Sequence, residues 1–455
     1  MERNETGTSE SEISDRAGMI INFEKYETIL NNTHLTKDSG KVTEVTGLLI
    51  KGYIPGVSVG SICEIFTSVS DKPILAEVVG FKDRQVLMMS LGGMRGISMG
   101  SRILLRKSVA TVRVSDELLG RVVDGLGNTL DGGAELEVSD EISLYGEVVN
   151  PLSREPIRQS LDVGVRAINA AITAGRGQRV AIMAGSGVGK SVLMGMMAKQ
   201  TEADVNVIAL VGERGREVRE FIENELGPEG MKKTVVVCVT SDQSPLLRMR
   251  GAFVATAIAE YFAGKGKNVL LVMDSVTRFA MAMREIGLSI GEPPSTRGYT
   301  PSVFSTLPKL LERAGNFEGS GSITGFYTTL VEGDDMNDPI GDSVRSIVDG
   351  HIVLSRELAH KGHFPAIDVL QSASRVMKAV STSEHVRMAQ KLREILATYR
   401  DAEDLINVGA YKVGANPKID KAIKVIDQVN EFLRQKTEDH SDMNKCLRGL
   451  AAIVM

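Results

Sequence analysis

Apolar residues in this chain cluster in two different textures, flanked by polar or helical segments. From Gly40 to Lys107 the runs are short and broken by glycine and polar residues: KVTEVTGLLIKGY, SICEIF, ILAEVVGF, QVLMMSL and RILLRK. Such a series predicts a small closed β-barrel. After the Gly-rich connection LLGRVVDGLGNTLDGG, longer runs begin: RVAIMA (179–184), VNVIALV (205–211), TVVVCVT (234–240), NVLLVMD (268–274) and SITGFYTTL (322–330). Helical stretches separate the first four. The runs are continuously apolar rather than alternating, as strands covered on both faces are, and they predict a doubly wound parallel α/β sheet. Ligands of such sheets bind at the carboxyl ends of the strands. Beyond about Ser383 the pattern is helical, in EHVRMAQKLREILATYRDAEDLI and PKIDKAIKVIDQVNEFLRQ.

At the other end, MERNETGTSESEISDRAG is polar throughout and predicts no packed structure. In MIINFEKYETIL, Ile20, Phe23, Tyr26 or Glu27, and Leu30 recur at helical spacing. This short amphipathic helix suits a partner's docking site, and equally packing on its own domain. The expected organisation is therefore a segment over 1–37, a barrel over 38–110, an α/β domain over 111–382 and a helical domain over 383–455.

Composition changes this picture little. The 455 residues are 42% hydrophobic and 24% charged, with a formal net charge of −5. That balance disfavours a broadly basic nucleic-acid binder, while leaving room for a local basic channel. No apolar run approaches the roughly 18–20 residues that span a bilayer, and no signal-peptide core is visible, so a cytoplasmic protein is expected. The three cysteines, Cys63, Cys238 and Cys446, are odd in number and far apart, and suggest neither a disulfide framework nor a metal cluster. His360 and His363 are close but lack the company of a zinc site.

The chemistry lies in the second texture. AGSGVGKS (184–191) stands between an apolar strand and a helix. Gly185, Ser186, Gly187, Val188 and Gly189 form a turn whose backbone N–H groups can cradle phosphate, at a helix N-terminus that favours the same anion. Lys190 would reach the β- and γ-phosphates of ATP, and the Ser191 hydroxyl would ligate Mg²⁺. The first glycine of the usual pattern is Ala184 here, a small residue that the turn tolerates. NVLLVMD closes on Asp274, placed to join the magnesium shell. VNVIALV is followed by a burst in which six of the nine residues from Gly212 to Glu220 are charged. If its strand is parallel to the other two, Glu213 emerges where the γ-phosphate must lie and can orient a hydrolytic water, with Arg214 neutralising charge. Gly212 and Gly215 would let the backbone bend there. The remaining charges, such as Arg216 and Glu220 four apart, predict a solvated helix face.

Taken together, AGSGVGKS, GERGREVREF, MDSVTRFAMAMREIGLSIGEPPSTRGYTPSVF, VEGDDMNDP and GHFPAIDVLQSASRVM resemble the ATP-synthase-type export ATPases of flagellar protein export and injectisome type III secretion. The resemblance covers about residues 38 to 435. It implies a barrel, a RecA-like P-loop ATPase core and a C-terminal helical domain. It also implies that Glu213 is the catalytic glutamate, that Arg375 is an arginine finger acting on a neighbouring subunit's nucleotide, that Phe364 stacks on adenine, and that Arg278 lies near the phosphates. The loop GEPPSTRGYTPS (291–302) would face the channel of a ring. In rotary synthases the catalytic carboxylate and the trans-acting arginine lie on different subunit types. One chain carrying both implies a homo-hexamer. Further implied partners are a regulatory stator-like protein at the N-terminal segment, export chaperones with unfolded export substrates, and an export gate, which places the ring on the cytoplasmic face of the inner membrane. EDLINVGAYKVGANPKIDKAI is closer to the flagellar pattern than to the injectisome one. A Rho-like RNA translocase would want basic residues interleaved with aromatics on the barrel, and 40–107 offers only Tyr53, Phe66 and Phe81, so no nucleic acid is expected.

Overall fold

The structure, a computed structural model, describes residues 38–134, 136–137, 140–146, 150–331 and 338–455. The N-terminal docking helix expected within 1–37, and most of VEGDDMNDP, lie outside the described residues.

Strands β1 (Ser39–Thr46), β2 (Leu49–Tyr53), β3 (Ile62–Ile65), β4 (Ile74–Lys82), β5 (Gln85–Ser90) and β6 (Arg102–Lys107) close into a barrel in the order β1-β2-β5-β4-β3-β6. The run KVTEVTGLLIKGY is not one strand but a hairpin, with Thr46 paired to Leu49. Gly47, at φ 59°, takes the first loop position, where a two-residue hairpin turn requires positive φ. Ile50, Cys63, Ile65, Met88 and Ile103 are fully buried and fill the barrel.

β7 (Thr111–Val114) pairs with β9 (Asp140–Ser143), and β8 (Val122–Val123) extends the edge of the main sheet. All five long apolar runs are strands of that sheet: β10 (Arg179–Ala184), β11 (Val205–Glu213), β12 (Thr234–Thr240), β13 (Asn268–Asp274) and β15 (Ser322–Leu330). Their order is β10-β15-β13-β11-β12, all parallel. The unbroken apolar pattern has a direct cause in β11. Val207, Ala209 and Val211 pack among helices Pro245–Gly264 and Val276–Ile290, while Ile208 and Leu210 pack on the face that carries Lys190–Gln200. Both faces are covered, so the run is almost wholly apolar, and its polar member, the buried Asn206, is satisfied by donating to the Ala198 carbonyl at 2.8 Å. Beyond β10 the sheet continues through β16 (Gly350–Leu354), parallel to β10, and β17 (Ile367–Ser374), antiparallel to β16; β14 (Gly315–Asn316) pairs with β15.

The C-terminal region folds into helices Ser383–Asn407, Pro417–Leu433 and Met443–Val454, the last not foreseen from the pattern. Arg393 anchors this layer to the sheet, donating to the carbonyls of Val369 at 2.6 Å and of Ser372 and Ala171 at 3.0 Å each. Arg400 adds a 3.0 Å bond to the buried carboxylate of Asp368. No helix among the described residues is long and apolar enough to cross a membrane.

Candidate active site

The phosphate loop leaves β10 at Ala184, which is buried between Leu330 of β15 and Leu354 of β16. A small residue is what that slot holds, so the departure from glycine is accommodated inside the strand. Gly187 (φ 77°) and Gly189 (φ 86°) supply the left-handed turns. Val188 is buried in the core, Ser186 and Gly187 are exposed, and Lys190 opens the following helix with Ser191 exposed beside it.

Three adjacent strands deliver the rest. Lys190 Nζ forms an ion pair with Asp274 Oδ1 and stands 3.6 Å from Glu213 Oε1. Asp274, at the end of β13 and 2% exposed, also accepts a 2.7 Å bond from Thr328 Oγ1 on β15. Thr328 was hidden in the sequence as one more member of an apolar run. The β15-β13-β11 order thus sets a threonine, a buried aspartate and a glutamate side by side, facing the lysine. Burial first, and then the charge of Asp274, push the Glu213 carboxyl up to about 6, against the pull of Lys190. Two carboxylates share one ammonium, so the cluster carries one negative charge too many until a cation or a proton joins it.

Glu213 follows a register shift in the ladder, pairing with Thr240 just past Gly212, which adopts φ 74°. A β-carbon on Gly212 would lie 2.9 Å from Cβ of Arg278, so this glycine is needed for conformation and for space alike. Arg278 therefore lies against the turn that presents Glu213, and its Nε is buried without a partner among the described residues. Gly215 needs no such freedom and simply opens helix Gly215–Glu220. Arg214 is not gathered into the cluster. Its side chain is 79% exposed and lies 3.4 Å from Glu217, because the chain turns from strand to helix at this residue and directs it outward. Arg216–Glu220 and Arg219–Glu223, both 2.7 Å, complete an exposed ladder of ion pairs.

The Asp274 carboxylate and the Ser191 hydroxyl are hard oxygen donors. No group of three or more His, Cys, Asp or Glu that could hold a metal by itself occurs among the described residues. That set fits Mg²⁺, which shares its shell with phosphates and water rather than requiring a full protein cage.

Phe364 is 46% exposed, and its ring carbons lie 3.5 Å from where a β-carbon of Gly189 would stand. It lines a cleft of about 1160 Å³ whose other walls are Val192, Leu193 and Met196 of the helix after the phosphate loop and the stretch from Asp427 to Asp439. The neighbouring His363 is buried, and desolvation pushes its imidazole down to about 4, with Arg434 adding to the effect. Arg375 is elsewhere. Ile367 pairs with Leu354 near the phosphate loop, whereas Ser374 pairs with Gly350, so β17 runs away from the site. Arg375, exposed at its end, stands at the opposite edge of the sheet, about 25 Å of strand from the Phe364 end.

The ATP synthase alpha/beta family matches the chain in its beta-barrel domain over residues 42–105 and its nucleotide-binding domain over 164–374; the T3SS EscN ATPase C-terminal domain matches 381–452. The flagellum-specific ATP synthase of Bacillus subtilis is 53% identical, covering 92% of this chain and 95% of its own length. The type 3 secretion system ATPase of Xanthomonas euvesicatoria is 48% identical, covering 91% and 93% respectively. The assembled ATPase EscN of enteropathogenic E. coli superposes with a TM-score of 0.86 at 47% identity, covering 91% of this chain and 100% of that one. With its barrel, P-loop sheet and helical C-terminus in the same order, this ATPase belongs to the ATP synthase alpha/beta family, in the branch of flagellum-specific and type III secretion ATPases.

Proposed function

We propose that the chain is a Mg²⁺-dependent ATPase that works as a ring of six identical copies in flagellar protein export. The catalytic reading rests on one observation: Lys190, Asp274 and Glu213 converge at the carboxyl edge of four neighbouring strands. Without nucleotide, Lys190 is engaged by both carboxylates. The β- and γ-phosphates of ATP replace them as its partners, with the backbone N–H groups of Gly185 to Ser191 closing around the same oxygens. Asp274, steadied by Thr328, and Ser191 are then free for the metal, which neutralises phosphate charge when bound. Glu213 turns to hold and orient a water in line with the γ-phosphate, its raised pKa making it a better proton acceptor than an ordinary carboxylate. Arg278, with its unpartnered Nε, lies close enough to the Glu213 turn to face developing charge.

Arg375 supports the ring. It cannot turn to its own phosphate loop from the opposite edge of the sheet, and an exposed arginine there suits a neighbouring copy's nucleotide. A solved EscN assembly carries its central stalk EscO; we read the loop 291–302 as facing an equivalent channel. Within it Ser295 Oγ donates to the Tyr299 carbonyl at 2.9 Å, and Arg297 lies 3.8 Å from Asp338. The same reading assigns the segment 1–37 to a stator-like regulatory protein. It sets the ring on the cytoplasmic face of the membrane, where it releases export substrates from their chaperones and delivers them unfolded to the gate.

Flagellar export is favoured over injectisome secretion by the stretch EDLINVGAYKVGANPKIDKAI, which is closer to the flagellar pattern; identities to flagellum-specific relatives, 45% to 53%, overlap those to type 3 secretion ATPases, 47% and 48%. The test is complementation. Expressed in a strain lacking its flagellar export ATPase, the wild-type chain restores filaments, and Glu213→Gln, which still binds ATP, does not. Rescue of an injectisome deletion but not of a flagellar one would reverse the assignment.

A further inference from the structure

The cleft beside Phe364 is closed by a segment that belongs to the C-terminal layer, and one buried side chain fastens it. Gln435 follows helix Pro417–Leu433 and is 5% exposed. Its Oε1 accepts from the Arg166 N–H at 2.8 Å, and its Nε2 donates to the carbonyls of Gly164 and Asp439, both at 2.8 Å. Its own backbone N–H donates to the Phe364 carbonyl at 2.9 Å. The side chain thus uses its acceptor and both donors to hold residue 435 against the start of helix Arg166–Ala171, while the backbone of the same residue holds Phe364. Arg166 doubles the attachment, donating to the Arg434 carbonyl at 2.6 Å.

We infer that Gln435 is a positioning residue for nucleotide binding: it sets the distance between the Phe364 ring and the C-terminal wall of the cleft, and so the fit of the purine base. The inference rests on the reading of this cleft as the base site. Among the described residues Gln435 makes no hydrogen bond to a phosphate-binding residue. Its bonds run to Gly164, Arg166, Phe364 and Asp439, whereas Lys190, Asp274, Glu213 and Thr328 are joined among themselves. Loosening Gln435 therefore acts on the base and spares the phosphates. A residue that merely stabilised the fold would weaken both alike. An adenine ring held between an aromatic face and a wall loses stacking when the gap widens, because dispersion falls steeply with a gap of less than an ångström.

The test uses two ligands that share phosphates and differ in the base: Mg·ADP and Mg·pyrophosphate. Gln435→Met keeps the volume of the side chain and removes its three hydrogen bonds. Binding of ADP, measured by calorimetry on the full chain, should weaken about tenfold, with pyrophosphate binding held within about twofold. In steady state the loss should appear as a raised KM rather than a lowered kcat. Phe364→Ala is the companion variant and should show the same selectivity. If Gln435→Met weakens both ligands equally, or neither, while Phe364→Ala still costs ADP alone, Gln435 does not position the base and the inference falls while the base site stands. If Phe364→Ala is also unselective, the base site lies elsewhere and both readings fall.

Discussion

The two edges of the main sheet carry candidate functional residues in opposite states. At the carboxyl edge, Lys190, Asp274, Glu213 and Thr328 form a half-buried to buried, mutually bonded cluster before any ligand arrives. At the far edge Arg375 stands exposed, its backbone N–H donating to the Asp349 carbonyl at 2.9 Å. The first arrangement is preorganised within one chain, and its parts are tied to folding. The second, on the reading proposed above, acts on a neighbouring copy. Substitutions should therefore separate activity from stability differently at the two edges.

The largest effect is expected from Arg375→Ala. Turnover should fall by about 10³-fold or more, the range over which trans-acting arginines contribute to phosphoryl transfer, with unfolding free energy unchanged within about 0.5 kcal/mol. A fall in stability of several kcal/mol would mean that Arg375 supports its own chain instead. Next is Glu213→Gln. Single-turnover hydrolysis should slow by about 10²- to 10⁴-fold while ATP binding survives; loss of binding would move Glu213 out of the catalytic role.

The same variant should also gain stability in nucleotide- and metal-free protein. The folded-state pKa of Glu213, about 6, lies above the 4.5 of an ordinary glutamate. The folded state therefore binds the proton more tightly, and stability is lost as pH rises from 4.5 through 6. At pH 7 the ionised form carries the full penalty. Glu213→Gln should then raise the unfolding free energy by about 1–2 kcal/mol at pH 7 and by nothing below pH 4.5. Denaturant titrations at the two pH values decide it, and a pH-independent difference would deny the buried repulsion.

Thr328→Val should cost about 1 kcal/mol of stability and a few-fold in turnover, since it removes a buried bond to Asp274 but no charge. The smallest effect belongs to the exposed ladder. Arg216→Ala, on a surface i,i+4 pair, should change stability by less than about 0.5 kcal/mol and leave hydrolysis intact.

What could be read in the sequence follows from the same contrast. The five runs of the sheet centre were legible because burial on both faces leaves few polar residues in them and no charged ones between the strand ends; Lys190, Asp274 and Glu213 sit at or just beyond the last strand residue. β16 and β17 were not foreseen. β17 pairs with β16 on one side only, and its sequence IDVLQSAS alternates buried and exposed positions toward its end. That pattern carries a weaker signal than an unbroken run. The hairpin at Gly47 was missed because Val45, Leu48 and Leu49 read as one apolar stretch across the turn. Thr328 and Gln435 escaped for another reason: a polar residue whose bonds run to distant segments, 54 residues away for Asp274 and 271 for Gly164, has no local pattern. Arg214 illustrates the converse. Its neighbour Glu213 points inward from the strand end, and one residue later the chain has turned it out to solvent.

One mixing experiment addresses the central claim, that a site built by one chain is completed by Arg375 of another copy. Glu213→Gln and Arg375→Ala subunits, each inactive alone, are combined in equal amounts under conditions where rings assemble. In a mixed ring an intact Glu213 meets an intact Arg375 wherever the two subunit types adjoin in the right order, about a quarter of interfaces at random. The account predicts that ATPase activity returns on mixing to about that fraction of wild type. A mixture no more active than its components, with assembly confirmed, would contradict it.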